Sequence, residues 1–468
     1  MLFNSLDFVI FLPVAILLYY AVRKNWRWLA LLGISYYFYM SWKPEYALLL
    51  LFSTAIDFWT GIQMGKIKVK KKRRPYLALS LCVNLGLLFF FKYFNFFSIN
   101  INEAMGLLGV GYRPTVFDLI LPLGISFYTF QTMSYSIDIY NENLEPETHF
   151  GYFAVYVSFF PQLIAGPIER SAHLIPQFRK KNPLNMEDVR YGINKIALGF
   201  FKKLVVADSI SVYVDHVFLD LSISNGLQVT TACVLFGLQS FADFSGYTDI
   251  AIGSARLCGI RLIDNFNRPF WVKNLRDFWS RWHMSLTQFL FIYMQRPLMG
   301  TSRSQARLFW VNMLVLTTVG FWHGATWPFV LFGVGHGLVM GAQTFIEQHP
   351  RSPKVNHPFY QKVVRPLWNM VLMTILVLMY RAQTFDDIVQ GYTKMFTEFE
   401  WSTSALMMGF GSTAAFALLF FNSLLLLPTH WFHKKLEFKS NLLYLMVIFA
   451  IIIILGQDTK QQFLYFQF

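Results

Sequence analysis

The chain has 468 residues, of which 55% are apolar and only 14% are charged, whereas soluble domains carry about 25% charged residues. This composition excludes an ordinary soluble protein and predicts an all-α polytopic membrane protein. The net charge of +14 is densest in KIKVKKKRRP, residues 66–75. Because this segment lies between two apolar runs, the positive-inside rule explains it, and we expect contact with anionic lipid and no nucleic-acid partner.

The first part of the chain contains four predicted membrane helices. They cover residues 6–22, 29–42, 45–62 and 76–91. No basic region precedes the first of them, which favours a retained helix over a cleaved signal peptide. Two crossings separate the basic segments 23–27 and 66–74, so both are expected in the cytoplasm. The polar residues 98–114 are then expected at the outer face.

The middle of the chain, residues 141–305, mixes short apolar pieces with charges and Pro/Gly breaks. Such backbone is tolerated at membrane depth only inside protein or around a watery cavity. An equal alternative is that residues 186–204 and 272–290 form amphipathic interfacial helices. Regular spans are predicted again at residues 306–321, 324–346, 363–381, 405–427 and 441–457. The aromatic end of the last segment, GQDTKQQFLYFQF, suggests a partner-docking element.

We expect one membrane domain with three parts: N-terminal helices (1–140), a catalytic core (141–346) and C-terminal helices (347–468). Small residues recur every fourth position at Gly333, Gly337 and Gly341, after Gly320 and Gly324. Such stripes let membrane helices approach closely, so the helix after residue 324 is predicted to lie inside the bundle.

No metal site or nucleotide-binding loop is predicted. Cys82, Cys233 and Cys258 lie far apart, without Cys/His ligand spacing. The sequence contains no GxSxG nucleophile motif and no phosphate-binding Gly-rich loop. A metal centre, a disulfide framework, a serine hydrolase and a nucleotide-driven transporter are therefore unsupported.

Histidines in apolar sequence are the principal candidates for chemistry, because an ionisable group is costly in a membrane. His323 lies within GFWHGATW, and His283 shares a predicted helix face with Trp279 and Leu286. Either imidazole could instead be a structural residue bonded to a neighbouring helix. His336 adjoins the glycine stripe, where a structural role is at least as plausible. The HxxxD string that begins at His216 is too short to indicate a catalytic site.

Carboxylates between residues 241 and 270 form a second group of candidates. Asp243 and Asp249 lie in otherwise apolar sequence. Asp249 and Arg256 are seven residues apart on one helix face, so a buried ion pair competes with a role in positioning a substrate. Asp277 and Arg281, four residues apart, are expected to pair on a helix surface.

Histidines without a metal or a serine triad suit acyl transfer from a thioester. The thiolate leaves readily, so the main task is to remove a proton from a hydroxyl, and imidazole has a suitable pKa. A basic cytoplasmic rim could bind the phosphates of coenzyme A.

The chain resembles the membrane-bound O-acyltransferase (MBOAT) family, in its bacterial branch of alginate and peptidoglycan O-acetyltransferases. The matching strings are FFPQLIAGPIER (159–170), DFSGYTDIAIG (243–253), NFNRPF (265–270), DFWSRWHMSL (277–286) and FWHGATWPFVLFGVGHG (321–337). They keep the family order and cover roughly residues 150–340.

The resemblance implies a bundle of about eleven helices with re-entrant segments around a central funnel. His323 then matches the family's essential histidine, and His283 its second catalytic one. Other residues of the matching strings are expected to line the donor tunnel: Asp243, Ser245, Tyr247, Asp249, Asn267, Trp279, Arg281, Trp282, Trp322 and His336.

The resemblance further implies acetyl transfer from a cytoplasmic donor, expected to be acetyl-CoA, across the bacterial inner membrane to an exported or envelope polysaccharide. No permanently bound cofactor is expected. Expected partners are an exported esterase-like acetyltransferase and a polysaccharide synthase complex. Two alternatives are transfer of another acyl group, such as D-alanine to teichoic acid, and a transporter or flippase. The latter would be expected to show inverted repeats, which the sequence lacks.

One departure concerns the stretch after RWHMSL. Relatives continue with a string like WLRDYLYIPLGG, whereas Phe291 and Ile292 replace its Arg-Asp pair here. Tyr293, Pro297, Leu298 and Gly300 remain aligned. A different acceptor, a different partner or a loss of activity would each be consistent with this change.

Overall fold

The computed structural model describes residues 1–110, 114–180, 182–302, 304–348, 357–401, 438–456 and 463–464. These residues are predominantly helical, and no β-strand occurs among them. The α-helices, in chain order, are α1 (Leu6–Ala21), α2 (Arg27–Met40), α3 (Glu45–Lys66), α4 (Arg74–Leu88), α5 (Phe94–Leu107), α6 (Ile125–Tyr140), α7 (Phe150–Ser158), α8 (Phe160–Leu163), α9 (Ser171–Arg179), α10 (Met186–Phe200), α11 (Asp208–Leu219), α12 (Gly226–Leu257), α13 (Leu275–Trp279), α14 (Met284–Leu290), α15 (Arg296–Met299), α16 (Gln305–His323), α17 (Trp327–Gln348), α18 (Arg365–Arg381), α19 (Phe385–Thr397) and α20 (Phe438–Leu455). π-Helical turns occur at Phe89–Tyr93, Phe201–Ala207, Phe291–Gln295 and Tyr360–Val364.

Four helical segments among the described residues are long and apolar enough to cross a membrane. They are Glu45–Lys66, Lys70–Leu107, Trp327–Glu347 and Tyr360–Arg381. Two shorter apolar helices cover Leu6–Ala21 and Leu442–Leu455. These segments confirm a helical, multi-pass membrane protein, whereas the count of eleven helices stays a prediction. The predicted span 405–427 lies outside the described residues.

Residues 98–114, expected at the outer face, begin in a helix, because α5 continues through Leu107; their side of the membrane stays a prediction. Polar residues in this stretch bond to backbone and so do not end the helix. Asn100 Nδ2 donates to Phe96 O at 2.7 Å, and Ser98 Oγ donates to Thr115 O at 2.7 Å.

The alternative of an amphipathic helix over residues 272–290 is wrong, because the helix is interrupted. The chain leaves α13 after Trp279 and starts α14 at Met284, with His283 at a positive φ of 44°. Asn265 stabilises the break: its backbone carbonyl accepts from Met284 N at 2.9 Å, and its Oδ1 accepts from Ser285 N at 3.1 Å. These long-range bonds replace helical ones, and the periodicity of the sequence does not reveal them.

The described helices fall into two compact units. Unit 1 comprises Met1–Ile193, Ala251–Asp264 and Gln288–Tyr293, and unit 2 comprises Asn194–Ile250, Asn265–Thr287 and Met294–Phe468. The expectation of one domain, with internal boundaries at residues 140 and 346, stays a prediction.

Unit 1 contains a buried polar network that joins α3, α4 and α6. The Asp57 carboxylate, fully buried, accepts from Ser80 Oγ at 2.5 Å and from Asn84 Nδ2 at 2.9 Å. Asn84 Oδ1 in turn accepts from Ser53 Oγ at 2.8 Å and Thr132 Oγ1 at 3.1 Å. Neutral donors therefore satisfy this carboxylate inside the helical bundle.

Unit 2 contains α16 packed closely on α17 through glycines. A Cβ at Gly320 would lie 2.2 Å from Phe329 O, and one at Gly333 would lie 2.4 Å from Leu316 O. One at Gly337 would lie 3.0 Å from Met313 Cα. The glycine stripe is thus a helix-packing surface, as predicted, and this packing fixes the end of α16, where His323 lies.

Candidate active site

His323 is the last residue of α16 and is buried, with 7% of its surface exposed. The helix ends there because Gly324 adopts an extended conformation. A Cβ at Gly324 would lie 2.3 Å from the Phe329 ring, so this turn requires glycine. Nδ1 of His323 shares a hydrogen bond with the Tyr380 hydroxyl at 3.3 Å. If Nδ1 carries the proton in this bond, the Nε2 lone pair can act as a base.

His283 lies between α13 and α14 and is fully buried. Its ring meets the edge of Phe244 at a centroid distance of 4.7 Å. Burial lowers the pKa of His283 to about 3, because an apolar surrounding disfavours the charged imidazolium. His283 is therefore a neutral imidazole at physiological pH.

Trp322 brings the two histidines into one cluster. Its indole ring lies 5.9 Å from the His283 ring and 5.1 Å from the His323 ring, measured between centroids. The two imidazoles thus pack against one tryptophan, as expected if they serve one site.

A cavity of about 80 Å³ lies beside His323. Of the predicted tunnel residues, Asp243, Trp279, Trp282 and His336 line it. Further lining residues, which sequence reasoning missed, are Gly237, Ser240, Phe244, Phe270, Phe278, Phe332, Met373, Val377, Tyr380 and Leu464. The wall is mainly aromatic and aliphatic, which favours a water-poor environment for the reaction.

Asp243 is a buried carboxylate with a buried cation beside it. Lys203 Nζ lies 2.7 Å from Asp243 Oδ1 and 2.9 Å from Asp208 Oδ1. The second oxygen of Asp243 accepts from Leu464 N at 2.8 Å. Such pairing is what allows charges to persist in a protein interior. Sequence reasoning missed Lys203, although a lysine pair in the apolar string GFFKKLVVAD was a usable signal.

The predicted alternative of an Asp249–Arg256 ion pair is wrong. Asp249 instead pairs with Lys195 at 2.7 Å and Lys202 at 2.6 Å, and Arg256 pairs with Asp188 at 2.5 Å. Seven residues along a helix correspond to about 10.5 Å, so one helix face does not bring these side chains into contact. The Asp277–Arg281 pair is confirmed, at 2.7 Å.

Several predicted tunnel residues are not among those described as lining the cavity. Ser245 and Asp249 are buried in α12, and Tyr247 packs against Phe463 at a ring distance of 4.9 Å. Asn267 N donates to Arg281 O at 2.9 Å, which helps to hold the segment around His283.

His336 lines the cavity with one ring nitrogen already engaged. Its Nδ1–H donates to Phe332 O at 2.9 Å, one turn earlier in α17. This bond fixes the orientation of the ring. In the described part of the chain, no group of His, Cys, Asp and Glu is arranged to hold a metal ion.

The departure at residues 291–292 lies on the π-helical turn Phe291–Gln295. Phe291 is exposed, with 54% of its surface accessible. The retained Tyr293 donates from its hydroxyl to Asp138 Oδ2 at 2.8 Å, and Arg170 donates to the same oxygen at 2.8 Å. The substitutions thus leave intact a tyrosine–aspartate–arginine network around the buried Asp138 and present an apolar side chain outward.

Comparison with known proteins identifies the class. The model of the MBOAT, membrane-bound O-acyltransferase, family matches residues 76–382. The chain belongs to this family and is an O-acyltransferase.

Individual relatives indicate which members of the family the chain is most similar to in sequence and coverage among those compared. The chain is 32% identical over 412 residues to the "Probable alginate O-acetylase AlgI" of Azotobacter vinelandii, covering 87% of this chain and 80% of the relative. It is 32% identical over 424 residues to the "Peptidoglycan O-acetyltransferase" of Helicobacter pylori, and the match covers 83% of this chain and 79% of the relative. The "Teichoic acid D-alanyltransferase" of Bacillus subtilis is 29% identical over 254 residues, and this match covers 51% of this chain and 62% of the relative.

Proposed function

We propose that this protein is an O-acetyltransferase subunit that serves the modification of an exported or cell-envelope polysaccharide. The acetyl group comes from a cytoplasmic thioester, acetyl-CoA, and is delivered to the outer side of the bacterial inner membrane. Relatives named as acetylases of alginate and peptidoglycan cover most of the chain and support the acetyl group and the polymer class.

The observation that carries the proposal is the His323–Tyr380 pair in the wall of a small apolar cavity. The His323 imidazole has Nδ1 bonded to the Tyr380 hydroxyl at 3.3 Å, and in the tautomer with the proton on Nδ1 the basic lone pair is on Nε2. The cavity of about 80 Å³ beside His323 gives room for a small acyl group such as acetyl.

In the proposed reaction, His323 removes the proton from an acceptor hydroxyl as its oxygen attacks the thioester carbonyl carbon. The resulting tetrahedral intermediate collapses with cleavage of the carbon–sulfur bond. The imidazolium then returns its proton to the leaving thiolate, so that an ester and a free thiol are formed. His283, neutral and packed on Trp322, acts as a polarising or orienting group.

The acceptor hydroxyl belongs to the polymer or to an exported partner of the esterase type, which would complete the transfer. A polysaccharide synthase is the expected source of the polymer. No resident cofactor takes part in this scheme.

Replacing His323 tests the proposal. We expect His323→Ala to abolish polymer O-acetylation, because no other group then removes the hydroxyl proton. O-acetyl content would be measured by mass spectrometry of the isolated polymer, with folding followed by size-exclusion chromatography. His216→Ala, which alters an exposed histidine of α11, is the matched control. Full acetylation by a well-folded His323→Ala protein would contradict the proposal.

A second candidate is transfer of D-alanine, which the teichoic acid relatives favour over about half of this chain. The same mass spectra separate the two, since an alanyl ester and an acetyl ester differ in mass. Alanyl esters that depend on His323 would replace the acetyl proposal and leave the role of the imidazole unchanged.

A further inference from the structure

Trp279 is a cavity-lining residue whose polar atom has no assigned use. It is buried, with 7% of its surface exposed, and it lines the cavity beside His323. Within the described part of the chain, its Nε1–H has no hydrogen-bond partner. Burying a donor without a partner is unfavourable, so an indole N–H in this position calls for an explanation.

The position of Trp279 is held rigidly. It ends α13, and α13 is bonded to α17 at successive points. Leu275 N donates to Gln343 Oε1 at 2.9 Å, and Arg276 Nη2 donates to Thr344 Oγ1 at 3.0 Å. The indole ring meets the His336 ring nearly edge-on, at a centroid distance of 5.7 Å and an angle of 73°. A donor fixed in this way needs no reorganisation when charge develops beside it.

Four other polar groups of the cavity wall have different properties. Asp243 is paired with Lys203 and, as a carboxylate, repels negative charge. His336 uses its Nδ1–H on the Phe332 carbonyl, and the Tyr380 hydroxyl is bonded to His323. The Ser240 hydroxyl also lacks a partner among the described residues, but it rotates and can accept as well as donate. An indole N–H can only donate a hydrogen bond, so the ligand atom that it binds must be a hydrogen-bond acceptor.

Acyl transfer creates such an acceptor. The carbonyl oxygen of the thioester gains negative charge as the hydroxyl adds, and fixed donors that face this oxygen stabilise the transition state. We propose that Nε1–H of Trp279 donates a hydrogen bond to the acyl carbonyl oxygen and stabilises its developing charge. The inference rests on the acyltransferase function proposed above and assigns Trp279 a catalytic role in it.

The sharpest test removes the N–H and keeps the ring shape. Replacing Trp279 by β-(3-benzothienyl)alanine exchanges the indole nitrogen for sulfur in the full-length protein in detergent. With acetyl-CoA and the polymer acceptor, we expect kcat to fall about 100-fold or more with KM for acetyl-CoA nearly unchanged. The same exchange at Trp310, which is 67% exposed on α16, is the matched control and should leave kcat unchanged.

A second pair of variants keeps the inference testable if the unnatural residue impairs folding. Trp279→His retains a ring N–H donor, whereas Trp279→Phe has none, so the histidine variant should be at least several-fold faster than the phenylalanine variant. Equal rates for this pair, a benzothienyl variant within twofold of wild type, or a change confined to KM would each overturn the inference. Lack of acetyl transfer by the wild-type protein would contradict the proposed function instead.

Discussion

At the scale of single residues, the site combines two histidines in different environments. His323 has a tyrosine hydroxyl at Nδ1, whereas His283 is enclosed by aromatic rings and is held neutral by burial. Two imidazoles with separate environments suit two separate roles, one exchanging a proton and one acting as a fixed dipole. The pH dependence of acyl transfer should therefore not arise from His283.

The lowered pKa of His283 predicts a pH dependence of stability. Its folded value of about 3 lies below the unfolded value of about 6.5, so the unfolded chain binds more protons between these limits. The stabilisation that comes from keeping His283 neutral is then fully present above about pH 6.5 and is lost as the pH falls from about 6.5 towards 3. We expect the melting temperature of wild type to fall more steeply between pH 7 and 5 than that of His283→Gln. His216→Gln should show the same dependence of melting temperature on pH as wild type. Equal pH dependences for wild type and His283→Gln would refute the prediction.

At the scale of helices, the site depends on how closely α16 approaches α17. Gly320 and Gly333 of this hairpin lie so close to backbone atoms of the facing helix that neither has room for a Cβ, so main chain contributes directly to the contact. Close main-chain approach of this kind replaces the hydrophobic driving force that helices lack within lipid. The pairing sets the position of His323 relative to Phe329 and His336.

Adding one methyl group to this contact tests its importance. In Gly333→Ala the new Cβ would lie 2.4 Å from Leu316 O, so α16 and α17 must separate, at a cost of about 1–3 kcal/mol. We expect a lower melting temperature and reduced acetyl transfer. Gly86→Ala in α4 is the control, because its Cβ would meet nothing within 4 Å and alanine is the better helix former by about 1 kcal/mol. Similar melting temperatures for the two variants would argue against the packing role.

At the scale of the whole molecule, the sequence was sufficient to predict features that neighbouring residues determine. Apolar length predicted the spans at 45–62 and 324–346, and the order of the matching strings predicted the family. Partners that come from distant parts of the chain were not accessible: Tyr380 is 57 residues from His323, and Leu464 is 221 residues from Asp243. The break before α14 was missed for the same reason, since Asn265 stabilises it from 20 residues away.

The last prediction concerns the two sides of the membrane. The basic segments 23–27 and 66–74 have the helices α2 and α3 between them, so both are expected on the cytoplasmic side, where acetyl-CoA is found. In sealed right-side-out vesicles, labelled acetyl-CoA enclosed in the lumen should acetylate polymer outside, and acetyl-CoA added outside should not. Vesicles with His323→Ala should be inactive in both arrangements. Acetylation from external acetyl-CoA in vesicles that exclude a small impermeant dye would show that donor and acceptor meet on one side. That outcome would refute transfer across the membrane while leaving the acyltransferase chemistry of His323 in place.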